Sequence, residues 1–148
     1  MKTAKRQLGD TGEGVACRYL EARGYEVVER NYLRPWGEID IVARKPARPG
    51  GAKRLYFIEV KSVSRESGGG GGLPANGHGS RETSLGVGYR PEENVHPAKI
   101  KRLYRAIQTY LLDHKVPEDT EWQLDVACVY LDFSTRKAHV EMIENVIL

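Results

Sequence analysis

Two stretches of sequence decide the fold: GEIDIVA at residues 37–43 and LYFIEVKS at residues 55–62. Both contain several β-branched residues, and the second also contains Tyr56 and Phe57, a composition that is typical of strands. A basic segment at residues 44–54, RKPARPGGAKR, separates them and contains the Pro and Gly residues that favour a turn. We therefore predict that the two strands form a β-hairpin.

Alternation along the first of these strands predicts which side chains share a face. Successive strand residues point to opposite faces of a sheet. Ile39 and Ile41 are thus predicted on one face, with Glu38, Asp40 and Val42 on the other. Asp40 is a charged residue between two apolar neighbours, which makes it a candidate functional residue.

Hydrophobic periodicity predicts the elements on either side of the hairpin. Apolar or small residues at helical spacing predict one helix over residues 8–20 and a second that begins at Pro97 and continues to about residue 111. Strand composition marks residues 25–32, 122–131 and 138–142. The predicted order is αβββαββ, an α/β fold with a mixed sheet flanked by two helices.

Chain length and composition predict one domain over residues 1–148. Nine of the 16 glycines fall within residues 62–96, among Ser, Pro and Asn. This composition is typical of a linker, and no Gly-Lys-Ser/Thr follows the glycine run to suggest a phosphate-binding loop. We expect a mobile, glycine-rich insertion at about residues 62–96.

Composition also excludes several classes of protein. With 40% hydrophobic residues the chain is not a disordered one, and the longest apolar run, at residues 126–131, is far too short for a membrane helix. Cys17 and Cys128 are isolated from each other and form no zinc-binding motif or disulfide framework. The first residues lack a signal-peptide pattern, so we expect a cytoplasmic protein with no membrane partner.

The charge distribution favours a polyanionic partner. Formal net charge is +3, but residues 116–148 carry −5, which leaves +8 on residues 1–115. A basic surface over most of the chain is compatible with nucleic acid. A solvated lysine and arginine surface explains the same charge equally well.

Three charged residues of the hairpin suggest chemistry. Glu59 and Lys61 are two residues apart in the second strand, so both side chains leave one face, and Asp40 lies in the neighbouring strand. Carboxylates on adjacent strands are the oxygen ligands that Mg²⁺ prefers, and a nearby lysine can orient water or neutralise developing charge. Phosphodiester hydrolysis is the natural reaction, whereas the alternative is an ordinary ion pair on an exposed sheet face.

The sequence resembles the YraN family of uncharacterised bacterial proteins, UPF0102. GEIDIV at residues 37–42 and FIEVK at residues 57–61 are similar to the GEIDLI and FVEVK signatures of that family. Further matches are Gly12-Glu13, Arg30-Asn31-Tyr32, Lys99 with Leu103, and Leu124-Asp125-Val126. Because several spaced motifs occur in the same order, the resemblance extends over about residues 8–130.

That family is similar in turn to the PD-(D/E)xK nuclease superfamily, which includes Holliday junction resolvases. The resemblance implies a restriction-endonuclease-like αβββαβ core, with Asp40 and Glu59 as metal ligands and Lys61 as the catalytic lysine. In the resolvase-like branch a glutamate of the first helix joins the site, and Glu13 matches it. Ile39 replaces the proline of the superfamily motif, a difference that leaves the aspartate in place.

The second helix supplies the candidate contacts to nucleic acid. Four basic residues lie within a span of seven residues that contains no acidic residue: Lys99, Lys101, Arg102 and Arg105. They suit binding to phosphate groups, although a solvated basic run is the simpler alternative. Glu38 is interpreted as a solvated acid at the mouth of a turn and is left out of the site. The four histidines are scattered and support neither a metal site nor a catalytic triad.

These patterns predict a divalent-metal-dependent nuclease that uses Mg²⁺ or Mn²⁺ to hydrolyse DNA, including branched or single-stranded forms. DNA is expected as the partner in preference to RNA, and a homodimer is compatible with the sequence. One alternative is a nucleic-acid-binding protein that keeps the nuclease fold with little or no catalysis. Another is a structural or assembly partner protein, which predicts little DNA affinity even at low salt.

Overall fold

The computed structural model describes residues 4–65 and 97–146. Their helices and strands follow the predicted order and are α1 (Ala4–Ala22), β1 (Glu26–Arg34), β2 (Gly37–Pro46), β3 (Lys53–Arg65), α2 (Pro97–Asp113), β4 (Trp122–Asp132) and β5 (Lys137–Ile143). The five strands form one sheet in the order β1-β2-β3-β4-β5. Only the pairing of β3 with β4 is parallel, so the sheet is mixed.

One helix covers each face of the sheet. On one face Ala16, Cys17 and Leu20 of α1 pack in a core cluster that contains Ile58 of β3 and Val129 of β4. These side chains leave α1 at helical spacing, which places its apolar stripe on the sheet. The predicted first helix is thereby explained by its packing.

The opposite face is covered by α2. Leu103, Ala106, Ile107 and Tyr110 of this helix pack in a second core cluster with Phe57 of β3 and other strand residues. Phe57 is fully buried and meets the ring of Tyr110 edge-on, with ring centroids 5.5 Å apart. A mixed sheet between two helices is an α/β fold, and it fits a restriction-endonuclease-like core. Among the described residues, neither helix combines the length and apolar content needed to cross a membrane.

The predicted face alternation of β2 is wrong at one point. Ile39 packs with Val42 in the cluster under α2, whereas Ile41 packs in the cluster under α1. Regular pairing of β2 with β3 ends where Ile41 lies opposite Ile58. Beyond that pair, the backbone N–H of Val60 donates to Asp40 Oδ2 at 2.8 Å. The strand is therefore irregular at Asp40, and the simple period of two does not continue through it.

The predicted start of the insertion at residue 62 is also wrong. β3 continues to Arg65, and its last four residues pair in parallel with residues 129–132 of β4. This ladder supplies backbone hydrogen bonds that composition alone does not reveal. Residues 66–96, and with them the rest of the glycine-rich insertion, lie outside the described residues.

Candidate active site

The predicted hairpin residues meet where β2 and β3 part. Asp40 is partly buried in β2, and Glu59, only 8% exposed, follows on β3. Lys61 Nζ lies 3.7 Å from Glu59 Oε1, as expected for two side chains that share a sheet face. The structure thus brings all three predicted residues together beneath α2.

The surroundings of Asp40 disfavour its charged form. Burial and the neighbouring Glu59 raise the pKa of Asp40 well above its usual range, and Glu13 and Glu38 add to the rise. The hydrogen bond from the backbone of Val60 lowers the pKa but does not outweigh these effects. Such a cluster of carboxylates is relieved by a proton or by a bound cation.

Two lysines contact Glu59 and differ in their titration. Lys99 of α2 donates to Glu59 Oε1 at 2.8 Å, while Lys61 is the more distant cation. Burial lowers the pKa of Lys99, but the hydrogen bond and the negative charge of Glu59, with smaller contributions from Lys61 and Asp40, together raise the pKa above its ordinary value. The pKa of Lys61 is lowered, first by burial and then by Lys99. Lys61 is therefore the lysine that gives up a proton more readily.

Two further carboxylates lie beside Asp40, one from α1 and one from the start of β2. Carboxylate oxygens of Glu13, Glu38 and Asp40 all lie within 4.8 Å of one another. The structure therefore places Glu13 beside Asp40, as the resemblance implied. Glu38 was left out of the predicted site, yet its carboxylate joins the group although the side chain is exposed. Its position two residues before Asp40 was the sequence signal for this proximity.

Glu13 is held in place by two residues of β1. With the Asn31 amide oriented so that its NH₂ group faces the carboxylate, the amide nitrogen lies 3.1 and 3.3 Å from the two Glu13 oxygens. Arg30 Nη2 lies 3.7 Å from Glu13 Oε2. Asn31 has a φ of 54°, a left-handed conformation that Asn tolerates better than most residues. Both residues belong to the Arg30-Asn31-Tyr32 motif, to which the sequence assigned no role.

Two glycines allow the helices to approach the site closely. A Cβ atom at Gly12 would overlap Ser62 Oγ, so only glycine lets α1 reach β3 and bring Glu13 to the sheet. A Cβ atom at Gly37 would overlap the carbonyl oxygen of Arg102 in α2. The two positions therefore fix how both helices dock around the carboxylates.

Comparison with known proteins identifies the family. The Uncharacterised protein family UPF0102 matches residues 12–129. A UPF0102 protein of Campylobacter lari is 34% identical over 132 residues, which cover 89% of this chain and 91% of the relative. One from Helicobacter hepaticus is 32% identical over 143 residues, 97% of this chain and 96% of the relative. The chain belongs to the UPF0102 family.

In this UPF0102 protein the carboxylates open into a groove of about 510 Å³ between the β1–β2 turn and α2. Its lining residues are Leu33, Arg34, Pro35, Trp36, Gly37, Glu38, Asp40, Glu59, Lys99, Arg102 and Leu103. Of the four bases predicted to contact nucleic acid, Lys99 and Arg102 line the groove. Arg105 lies behind it, with its guanidinium 4.6 Å from the centre of the Trp36 ring, and Lys101 is exposed elsewhere on α2.

The apolar wall of this groove was missed by sequence reasoning. Leu33, Pro35 and Trp36 form it; Leu33 lies near the end of β1, and Pro35 and Trp36 form the turn to β2. Their only sequence signal was a Pro-Trp-Gly turn beside the Glu38–Asp40 segment. The helix against which such a turn packs is set by the tertiary fold, and the hydrophobic periodicity of the sequence does not reveal it.

Proposed function

We propose that this UPF0102 protein is a divalent-metal-dependent nuclease that hydrolyses phosphodiester bonds in DNA. The observation that carries the proposal is the meeting of Asp40 and Glu59 from two strands, with Lys61 beside them, at the floor of a groove lined by further bases. Acids on two strands with an adjacent lysine suit a metal-assisted displacement at phosphorus.

The donor set fits Mg²⁺ or Mn²⁺. Asp40 and Glu59 would hold the ion through carboxylate oxygens, which are the hard ligands that these cations take. The raised pKa of Asp40 supports this assignment because its crowded negative charge is stabilised by a cation. When bound, the ion polarises the phosphodiester and lowers the pKa of a coordinated water. Glu13, held by Asn31, adds negative charge next to Asp40.

The two lysines take different roles in the proposed reaction. Lys61 has a lowered pKa, so it reaches the neutral form that accepts a proton from the attacking water more readily than a solvated lysine does. Lys99 keeps its charge and faces the groove, where it stabilises the negative charge that develops on the phosphate. Arg102 holds the neighbouring backbone phosphate.

Cleavage of labelled nucleic acids tests the proposal. The full-length protein is incubated with single-stranded, duplex and branched DNA and with RNA, each in Mg²⁺, Mn²⁺ or EDTA. We expect metal-dependent cleavage of DNA that is lost in Asp40→Asn and Glu59→Gln. Glu118→Gln is the matched control, since Glu118 is an exposed acid between α2 and β4. No cleavage of any substrate in either metal, or equal cleavage by Asp40→Asn, contradicts the proposal.

A second candidate function is nucleic-acid binding without turnover. One observation favours it: Lys99 already donates to Glu59 Oε1 at 2.8 Å, so a protein cation satisfies that carboxylate. A binding protein of this kind needs its basic groove and not the ion. DNA binding that is equal in EDTA and Mg²⁺, together with no cleavage, would identify this function.

A further inference from the structure

The groove beside Asp40 has two chemically different halves. One half is polar and contains the carboxylates of Glu38, Asp40 and Glu59. The other half, which we call the apolar wall, consists of Leu33, Pro35 and Trp36. Leu33 is 66% exposed and lines the same groove as these carboxylates. A ligand that fills the groove therefore has a charged part and an apolar part.

The apolar wall is held firmly against α2. Trp36 Nε1 donates to Thr109 Oγ1 at 3.1 Å, and the guanidinium of Arg105 lies over the Trp36 ring. Arg34, the last residue of β1, forms an ion pair of 2.8 Å with Asp113 at the end of the helix. Three contacts spread along α2 fix the turn, so the wall is preformed and loses little entropy when a ligand binds.

We propose that the apolar wall is a subsite for the base of an unpaired nucleotide next to the phosphate that is cleaved. The inference rests on the proposed nuclease function and narrows its substrate to nucleic acid with a single-stranded segment. The phosphate lies toward Lys99 and Arg102, and the flat face of the base packs on Trp36 and Leu33. A volume of about 510 Å³ suits a ligand group of nucleotide size.

The proposed subsite requires an unpaired nucleotide, because stacking in a duplex covers the faces of the bases. In the interior of a duplex both faces of each base are covered by stacked neighbours, so no base face there is free to contact the wall. An unpaired nucleotide exposes that face, and proteins that bind single strands combine aromatic side chains with a cationic groove. Trp36 and Arg102 provide these two elements within one groove.

Binding of two DNA probes without metal tests the subsite. Fluorescence anisotropy in EDTA compares a labelled 12-nucleotide oligothymidylate with a blunt 12-base-pair duplex, using the full-length protein. We expect tighter binding of the single strand. Trp36→Ala should weaken that binding about tenfold, because base stacking on an aromatic ring is lost, while Trp36→Phe should retain most of it.

Leu33→Ser keeps the test independent of folding defects. Leu33 is largely exposed, so its substitution should leave the fold intact, and we expect single-strand binding to weaken about threefold with duplex binding unchanged. Leu112→Ser is the matched control, since Leu112 is 79% exposed on α2 and does not line the groove. It should bind both probes like the parent protein.

The outcomes separate the subsite from the nuclease. Equal binding of the two probes, no binding of either at low salt, or a Leu33→Ser variant that behaves like Leu112→Ser overturns the subsite. The same oligonucleotides are then incubated with Mg²⁺ and with Mn²⁺. A single-strand preference without cleavage supports the subsite and refutes the nuclease, whereas cleavage without that preference supports the nuclease and refutes the subsite.

Discussion

The two ends of the β2–β3 hairpin differ in their backbone pairing and in the polarity of their side chains. At the paired end, residues 41–46 form a regular ladder with residues 53–58, and the inward side chains are apolar and buried. At the parted end, which contains Asp40 and residues 59–61, the ladder stops and two acids and a lysine take positions beside the apolar core.

Charges at the two ends are also satisfied differently. Next to the paired end, Arg44 donates to Glu26 Oε2 at 2.7 Å in solvent, and Lys53 Nζ lies 3.6 Å from the same oxygen. These two cations, Arg44 first, lower the pKa of Glu26 to about 2. At the parted end, Asp40 faces other carboxylates and its pKa is raised. The comparison indicates that the paired end stabilises the sheet, while the parted end bears a destabilising charge cluster of the kind found at functional sites.

The largest effect should follow from removing the charge of Asp40. We expect Asp40→Asn to reduce metal-dependent cleavage by more than about 1,000-fold at saturating Mg²⁺, since a ligand and its charge are lost together. Folding should stay intact, because the substitution also relieves carboxylate repulsion. Single-turnover cleavage with circular dichroism checks both parts. Glu26→Gln, next to the paired end, should cleave like the parent protein.

At the paired end we expect a substitution to lower stability and to leave metal binding unchanged. Phe57 is fully buried between β3 and α2, so Phe57→Ala should lower the free energy of unfolding by about 3–5 kcal/mol through lost burial and a cavity. Urea denaturation measures this change. Metal affinity of the folded fraction should not change. A loss of metal binding that exceeds the loss of folded protein would show that the two ends are not separate.

A smaller effect on activity should come from the residue that holds Glu13. Asn31→Gly keeps the left-handed backbone and removes the amide, so we expect about tenfold slower cleavage with unchanged stability. Asn31→Ala loses the same amide and is also strained at a φ of 54°. It should therefore be both slow and less stable. Equal cleavage rates in Asn31→Gly and the parent would contradict the role assigned to this contact.

The charge cluster at the parted end should also change the pH dependence of stability. Because the pKa of Asp40 is raised in the folded protein, the folded state binds this proton more tightly, and stability falls as pH rises above about 4. Asp40→Asn lacks this loss, so its stability relative to the parent should increase from pH 4 to pH 8 in EDTA. Asp125 also has a raised pKa, but it is present in both proteins and cancels in the comparison. Urea denaturation at both pH values measures the difference.

The smallest expected effect is on the salt dependence of DNA binding, and it concerns two adjacent basic residues of α2. Arg102 lines the groove and Lys101 does not. Each phosphate contact to a single strand adds about 0.7 to the slope of log affinity against log salt. Arg102→Ala should make the slope shallower by about this amount, and Lys101→Ala should leave it unchanged. Anisotropy over a salt series decides, and equal slopes in the two variants would place the phosphate contact elsewhere.

Local patterns were sufficient for the element order but not for the irregular parts of the fold. Both helices were predicted because their apolar residues recur at helical spacing and each packs on one sheet face. The faces of Ile39 and Ile41 were predicted wrongly, because alternation breaks where Val60 donates to Asp40, a contact between residues 20 positions apart. The end of β3 was missed for a similar reason, since its last residues are held by distant β4.

In the candidate site, too, the residues with a local sequence pattern were predicted and those placed by distant contacts were missed. Asp40, Glu59 and Lys61 could be found because they lie on two strands joined by one turn, and the resemblance added Glu13. Asn31 and Trp36 carry no local signal of their own, because each acquires its contact only when a helix docks on the sheet. Glu38 was predicted to share a strand face with Asp40 but was interpreted as a solvated acid, and its exposure does not prevent its carboxylate from lying close to those of Glu13 and Asp40.

Calorimetric titration of Mn²⁺ into the full-length protein tests the central claim most directly, because it asks whether the parted end binds a divalent cation at all. We expect saturable binding by the parent protein and by Glu118→Gln, and at least tenfold weaker binding by Asp40→Asn and by Glu59→Gln. Parent protein that binds no Mn²⁺, or an Asp40→Asn variant that binds it as tightly as the parent, would contradict the assignment of the metal site.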